Sequence, residues 1–232
     1  MKKTIEAFSL VELSIVLIII GLLVSGVSTG HKLIRQSKLR KITTDINEFN
    51  ISFNTFEMQY DAIPGDMENA DEYWALADET NNPFNGDGDE SIDSNGTQAE
   101  NVRYWQHLSL AELVNGDYDG SITPERYSAT GRNLPLGPNG LYTTLQGANR
   151  GIEYSNMPGC NANTNFGAVS GRDAYLIDKK TDDGIANSGK ITSYAGTTAV
   201  GDCTLLTTCH TGGVYDANDQ NSLSCRFRAS FN

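Results

Sequence analysis

The chain has little of the material that enzymes use for acid–base or nucleophilic chemistry. It contains three histidines in 232 residues, and its sequence has no HExxH motif, nucleophile elbow or ordered Ser-His-Asp set. His107 stands alone in a helical segment, where we expect a solvated or packed ring rather than a metal ligand or a base. The sequence therefore predicts a protein that is not an enzyme.

Cysteine is absent before Cys160, and the four cysteines form no CxxC pair. The missing pairs argue against zinc and thioredoxin-like sites. An even number in a Gly/Asn/Thr-rich region favours one or two disulfides and an oxidising compartment, and four reduced, buried thiols are the alternative. Cys209–Cys225 or Cys203–Cys225 would tie the last strand to the preceding loop. The disulfide candidates are Cys160, Cys203, Cys209 and Cys225.

Basic residues are scarce beyond the N-terminal region. Residues 1–41 hold seven of the 17 basic and two of the 29 acidic residues, which leaves 10 basic and 27 acidic residues, a net charge of −17, for residues 42–232. Phosphate backbones repel a body this acidic. We therefore expect no nucleic-acid partner.

One apolar run extends from Phe8 to Val27, preceded by Lys2 and Lys3. At about 20 residues it is long enough to cross a bilayer as a helix. The stretch "VSGVSTG" resembles the small-residue cleavage site of a secretory signal, so a secreted domain released by cleavage near Thr29 is one alternative. The carboxylate of Glu12 lies inside the run, where a charge is costly and usually functional.

A second apolar pattern follows the first without a strong helix breaker. Its spacing of 3-4-3-4-3-4 is typical of one face of a helix. Gly26 and Gly30 only soften the helix, and "AIPG" at residues 62–65 ends it. The sequence predicts one helix of about 50 residues, roughly 75 Å long. The pattern consists of Leu39, Ile42, Ile46, Phe49, Phe53, Phe56 and Tyr60.

The stretch "AFSLVE" before an apolar run resembles the prepilin signature of type IV pilins and type II secretion pseudopilins. The resemblance implies that a membrane peptidase cuts between Ala7 and Phe8 and methylates the new amino terminus of Phe8. It also implies that Glu12 serves subunit assembly by pairing with the Phe8 ammonium of a neighbour. Gly21 matches a helix-loosening glycine of such pilins. The sequence departs from the family at Ala7, where glycine is usual, and at Thr29, near which many type IV pilins carry proline.

The implied fold is α+β, with a long N-terminal helix packed on a small antiparallel sheet and a loop-rich C-terminal region with disulfides. Residues 1–7 would be a leader, 8–30 the transmembrane and assembly helix, 31–63 its amphipathic continuation and 64–232 the head. The implied partners are other pilin subunits, the prepilin peptidase and an inner-membrane assembly platform. The implied location is the bacterial inner membrane with a periplasmic head, and then a pilus, a pseudopilus or the cell surface.

The basic residues between Lys32 and Lys41 conflict with this orientation. By the positive-inside rule they would prefer the cytoplasm, whereas the resemblance places them outside. We expect them to face the acidic bodies of neighbouring subunits.

In the head, the sequence predicts helices at Met67–Leu76, with Tyr73 and Trp74 packed inward, and at Asn101–Val114. Short segments bounded by Gly, Pro or Asn are typical of antiparallel strands. These are "GLYTTL", "GIEYSN", "AYLIDK", "GKITSYAG" and "SLSCRFRASF". The last should place Leu223, Cys225, Phe227 and Ala229 on one face.

"NGDGDESID" alternates oxygen side chains with glycines and resembles a calcium loop. It departs from the EF-hand, because Glu90 occupies the turn-glycine position and Gly96 the position of the bidentate acid. A flexible acidic surface loop is the alternative. In "DKKTDDG", we expect a polar hairpin with Asp183-Gly184 at its turn. The candidate calcium ligands are Asn85, Asp87, Asp89, Ser91, Asp93 and Glu100.

These observations predict a structural subunit of a type IV pilus-like or type II secretion pseudopilus filament. The alternative is a membrane-anchored extracytoplasmic binding module, calcium-dependent or adhesin-like, that does not polymerise.

Overall fold

The computed structural model describes residues 10–74, 85–93, 100–120, 134–138, 140–145, 150–161, 164–195, 209–219 and 223–231, with the backbone alone for 141, 156–161 and 164–166. The chain divides into two compact units, Met1–Arg40 and Lys41–Asn232. The boundary lies within the predicted 31–63 segment rather than at its start.

The first element is a single helix, α1, which extends over 51 residues from Leu10 to Tyr60. In the second unit, its buried apolar residues are Ile42, Ile46, Phe49, Phe53 and Phe56. All five belong to the 3-4 spaced pattern. They are buried together because residues at that spacing share one helix face. The prediction of one long N-terminal helix is confirmed. The helix ends at Tyr60, two residues before the start of the predicted stop at residues 62–65.

The second unit also contains a small antiparallel sheet. Its strands β1 (Leu141–Thr144), β2 (Gly151–Asn161), β7 (Cys225–Ser230) and β4 (Ile191–Ala195) lie in the order β1-β2-β7-β4, and β3 (Thr164–Phe166) pairs with β2. A separate two-stranded sheet joins β5 (His210–Thr211) and β6 (Val214–Tyr215). The predicted combination of a long helix with a small antiparallel sheet is therefore present.

Aromatic side chains fill the core between α1, the helix α3 (Glu100–Leu110) and the sheet. The ring of Phe49 lies 4.9 Å from that of Trp105 on α3 and 5.0 Å from that of Tyr142 on β1. Phe53 packs between Tyr104 and Phe231, with ring centroids 6.1 and 5.8 Å away. One stripe of α1 thus touches both the helical and the sheet side of the core.

The predicted strand "AYLIDK" is wrong, because this segment belongs to the helix α4 (Gly171–Thr181). The hydroxyl of Ser170 accepts a hydrogen bond from the backbone N–H of Asp173 and caps the helix. Lys179 and Lys180 occupy the last turn, where positive charge favours a helix. The buried residues Gly171, Ala174, Ile177 and Asp178 follow helical rather than alternating spacing.

The two other predicted helices are shorter than expected. The helix α2 covers only Ala70–Tyr73, and the side chain of Tyr73 is 54% exposed rather than packed inward. The helix α3 ends at Leu110 instead of Val114. There the N–H of Leu113 bonds the carbonyl of Leu108, and Glu112 takes a positive φ of 59°, as at a Schellman-type helix end.

In β7, the alternation is present for three of the four predicted residues. Cys225, Phe227 and Ala229 are buried, whereas Leu223 precedes the strand and is 43% exposed. Cys209 and Cys225 form a disulfide with a Cα–Cα distance of 5.0 Å. It ties the start of β7 to the segment before β5, one of the two arrangements open from the sequence. The side chain of Cys160 and all of Cys203 lie outside the described residues.

Candidate functional site

The first unit carries the apolar face that the sequence singled out. Its large apolar side chains from Leu10 to Val27 are 50–86% exposed. Among the described residues, α1 is the one helix long and apolar enough to cross a membrane, a test that a signal sequence also passes. The predicted cleavage residues Ala7 and Phe8 lie outside the described residues, and Glu12 lies on the exposed surface of the helix.

Two hydroxyls in this part of α1 donate hydrogen bonds to the backbone of the helix itself. The hydroxyl of Ser14 donates to the carbonyl of Val11, at 2.8 Å, and that of Thr29 donates to the carbonyl of Ser25, at 3.1 Å. Such back-bonding satisfies a hydroxyl without water. This is the arrangement that a helix in hydrocarbon requires, because lipid offers no hydrogen-bond partner.

In the second unit, the acidic loop of residues 85–93 is folded around two buried carboxylates, those of Asp66 and Glu100. The carboxylate of Asp66 accepts the backbone N–H groups of Gly88, at 2.8 Å, and Glu90, at 2.9 Å. That of Glu100 accepts the N–H groups of Asp87, at 3.1 Å, and Asp93, at 2.8 Å. Four backbone donors of the loop therefore converge on two acids.

The turn that carries Asp66 packs against the helix α3, which carries Glu100. Asp66 follows the turn at Gly65, which has a φ of +92° and whose Cβ would lie 2.5 Å from the carbonyl oxygen of Glu100, so only glycine fits there. The N–H of Gly65 donates to Nδ1 of His107 at 2.8 Å. His107 is fully buried and stacks on Phe56, which confirms the packed ring among the two expected alternatives.

Burial makes both carboxylates harder to ionise. Burial, with the nearby carboxylates of Asp66 and Asp87 adding to it, raises the pKa of Glu100 from 4.5 to about 7. Burial also raises the pKa of Asp66, against the lowering effect of its two N–H bonds. The buried guanidinium of Arg103 lies near this loop and donates to the carbonyl of Asn85.

Four of the predicted calcium ligands, Asp87, Asp89, Asp93 and Glu100, belong to two overlapping groups of carboxylates, one of which also contains Asp66. Asp87, Asp89 and Asp93 can bring one oxygen each within 4.8 Å of one another, and so can Asp66, Asp87 and Glu100. Asn85 does not join them, because its amide exchanges hydrogen bonds with Asp71 instead. Ser91 donates its backbone N–H to the carboxylate of Asp89 at 2.9 Å.

Asp66 is the member of this cluster that the sequence reading missed. It comes directly after the Pro64-Gly65 turn, which was interpreted only as a helix stop. No local sequence pattern indicates this role, because it depends on the hydrogen bonds between the carboxylate of Asp66 and the distant loop residues Gly88 and Glu90.

The second acidic turn is not a hairpin, since it connects α4 to β4. Asp178 is fully buried and accepts the hydroxyl of Tyr215 at 2.7 Å and the N–H of Gly184 at 3.1 Å. Asp182 accepts the N–H groups of Lys190 and Ile191, and Asp183 accepts that of Ile185 at 2.7 Å. These three carboxylates organise the loop between the helix and the strand.

No family model, curated protein or solved structure matches the chain.

Proposed function

We propose that the chain is a structural subunit of a type IV pilus-like or type II secretion pseudopilus filament. A prepilin peptidase would process it between Ala7 and Phe8, and an inner-membrane assembly platform would add it to other pilin subunits. Its head would lie on the periplasmic side before assembly.

The continuity of α1 is the observation that carries this proposal. The same 51-residue helix presents an exposed apolar surface in the first unit and provides buried core residues to the second. A removable export signal has no need to continue into the core of the folded domain. A filament subunit does, because the helix that holds it in lipid must afterwards hold the head in the polymer.

Glu12 gives the assembly step its specificity. Cleavage before Phe8 creates an ammonium at the start of the apolar helix, four residues before the carboxylate. Pairing of this carboxylate with a neighbour's ammonium removes two costly charges from hydrocarbon at once. It also sets the axial offset between helices, as one buried polar residue fixes the register of a coiled coil.

The disulfide is consistent with the proposed location. Cys209 and Cys225 are both buried and bonded, and such bonds persist in oxidising compartments such as the periplasm.

The identity of the mature N-terminus tests the proposal directly. Mass spectrometry of the chain recovered from bacterial membranes should find an N-methylated Phe8. A mature chain that starts after Ser25 would show a cleaved export signal and overturn the proposal.

Substitution of Glu12 tests the assembly step. We expect Glu12→Ala and Glu12→Gln to leave the chain in the membrane and to reduce its recovery in sheared filaments at least tenfold, because the ammonium of Phe8 loses its partner. Glu48→Ala removes an exposed carboxylate from the same helix within the second unit and should assemble normally. Normal filaments from Glu12→Ala would refute the assembly role of Glu12.

A second candidate function, a calcium-dependent binding module anchored in the membrane, is favoured by the two groups of carboxylates that share Asp87. Hard oxygen ligands of this kind suit Ca²⁺, and extracellular modules bind it with dissociation constants of about 10⁻⁴–10⁻³ M. This function would place the activity in the acidic loop rather than in α1.

Calorimetric titration of the detergent-solubilised chain with CaCl₂ tests this candidate. We expect binding by the wild type, its loss in Asp87→Asn, and its retention in Asp117→Asn, which alters an exposed acid in a different turn. Binding near pH 7 should release protons, because the pKa of Glu100 is raised to about 7 and a metal ion requires the ionised form. Equal heats in the wild type and Asp87→Asn would exclude the loop as the site.

A further inference from the structure

The basic residues that follow the apolar run form the strongest positive patch of the chain. Five lysines and arginines lie between residues 32 and 41, and the first acid after them is Asp45. All five belong to α1. They are Lys32, Arg35, Lys38, Arg40 and Lys41.

From this patch we infer that Lys32 and Arg35 bind the phosphate groups of anionic phospholipids at the membrane surface where α1 leaves the bilayer. The inference rests on the membrane-anchoring part of the proposed function and not on filament assembly. It replaces the expectation that these cations face neighbouring acidic bodies.

Helix geometry selects which cations reach the lipid. The run from Phe8 to Val27 is about 30 Å long as a helix, which equals the hydrocarbon thickness, so Val27 marks its edge. Lys32 then lies about 7.5 Å and Arg35 about 12 Å beyond that edge. The headgroup layer is about 5–7 Å deep and the Debye length about 8 Å, so these two charges lie within the field of the lipid phosphates. Arg40, about 20 Å beyond the edge, lies outside it.

The side chains beside these two cations suit the same level of the membrane. Lys32 and Arg35 are three residues apart and share one side of α1. Leu33 and Ile34, between them, are 61% and 57% exposed. Apolar side chains next to long cations are the composition of a helix segment at a membrane interface.

Lys41, at the far end of the patch, has a different partner. Its ammonium pairs with the carboxylate of Asp45, one turn further along α1. The patch thus contains a membrane-proximal pair, Lys32 and Arg35, and at its far end a lysine that pairs within the second unit.

The charge of the rest of the chain favours lipid contact by this segment alone. Residues 42–232 carry a net charge of −17, which an anionic surface repels. The anionic surface thus attracts Lys32 and Arg35 and repels the acidic residues that follow them. The basic pair therefore binds the surface without drawing the head onto it.

The test uses the full chain in phosphatidylcholine vesicles that contain phosphatidylglycerol as the anionic component. Electron paramagnetic resonance of spin-labelled lipids measures how strongly each lipid is retained next to the protein. We expect enrichment of spin-labelled phosphatidylglycerol over spin-labelled phosphatidylcholine around the wild type, falling by up to about fivefold for each cation removed. At about 1 M salt, where the Debye length is about 3 Å, the enrichment should largely disappear.

Matched variants test whether the lipid enrichment depends on where a basic residue lies along α1 or only on the number of basic residues. Lys32→Gln should lower the enrichment, whereas Arg40→Gln, which removes one charge outside the reach of the lipid, should not. Lys32→Arg combined with Arg35→Lys keeps both charges and should retain the enrichment. Equal loss in Lys32→Gln and Arg40→Gln would overturn the assignment to the membrane-proximal pair.

Two further outcomes are distinguishable. If the wild type inserts into vesicles but shows no enrichment, and Lys32→Gln with Arg35→Gln instead weakens crosslinking between copies, the partner is the acidic body of a second chain and the inference is wrong. If the wild type does not float even with pure phosphatidylcholine vesicles, the membrane anchor itself fails, and the inference fails with it.

Discussion

At the scale of single residues, Glu100 is a buried acid that both holds the acidic loop in place and changes its charge near neutral pH. Its two oxygens hold the N–H groups of Asp87 and Asp93, which fixes both ends of the acidic loop. The same burial raises its pKa to about 7, so that it is partly protonated at neutral pH. The loop is therefore held by a group whose charge changes near physiological conditions.

The raised pKa of Glu100 predicts a dependence of stability on pH. The folded chain binds this proton more tightly than the unfolded chain, so the contribution of Glu100 is greatest below pH 4.5 and is lost as the pH rises toward about 7. Glu100→Gln removes this titration. The free energy of unfolding of the wild type, relative to Glu100→Gln, should fall by up to about 3 kcal/mol between acidic and slightly alkaline pH.

Denaturation of the detergent-solubilised chain, followed by tryptophan fluorescence across this pH range, measures the difference. Glu48→Gln changes an exposed acid on α1 and serves as the control, with a pH profile parallel to that of the wild type. Parallel profiles for the wild type and Glu100→Gln would contradict the prediction.

The sequence pointed to Glu100 and to the acidic loop as ligands of one ion, but not to the hydrogen bonds by which Glu100 holds the loop. Alternating oxygen side chains predicted a calcium loop, and the structure brings three of its carboxylates, those of Asp87, Asp89 and Asp93, together. The contribution of Asp66 depends on the contact between two turns that are distant in sequence. Local spacing carries no information about such a contact.

At the scale of elements, α1 was the most predictable part of the fold. A spacing of 3-4-3-4 over seven residues specifies one buried face, and no competing strand pattern occurs within it. Short segments were less predictable: "AYLIDK" has a composition that suits a strand, and its helix depends on the Ser170 cap and on the burial of Asp178. Capping and tertiary contact outweighed local propensity there.

The packing of α1 predicts that truncations on two neighbouring faces of the helix differ sharply in their effect on the free energy of unfolding. Phe53 is 1% exposed and contacts Tyr104 and Phe231, whereas Ile51 is 65% exposed. Phe53→Ala should lower the free energy of unfolding by about 3–5 kcal/mol through loss of buried surface and formation of a cavity. Ile51→Ala should change it by less than about 0.5 kcal/mol.

Urea titration of the full chain in detergent measures both variants under the same conditions. Comparable losses for Phe53→Ala and Ile51→Ala would show that the second unit does not use α1 as its core helix.

At the scale of the whole molecule, the distribution of apolar and charged residues along the chain is easier to predict from the sequence than the topology of the sheet. The apolar run, the basic patch and the acidic remainder are linear features, which composition reveals directly. The order β1-β2-β7-β4 and the partner of Cys225 are not linear, because they depend on which distant segments pair. Four cysteines allow three complete pairings, and spacing alone does not choose among them.

The central position of β7 has a consequence for how the protein is made. Residues 225–230 hydrogen-bond with β2 on one side and with β4 on the other, so these two strands have no shared neighbour until that segment has left the ribosome. A chain synthesised from its N-terminus forms its local helices early and its long-range strand pairs late. The helix α1 is thus complete while the sheet is still open. Under the proposed function, this order of synthesis would keep the head unfolded during its passage across the membrane.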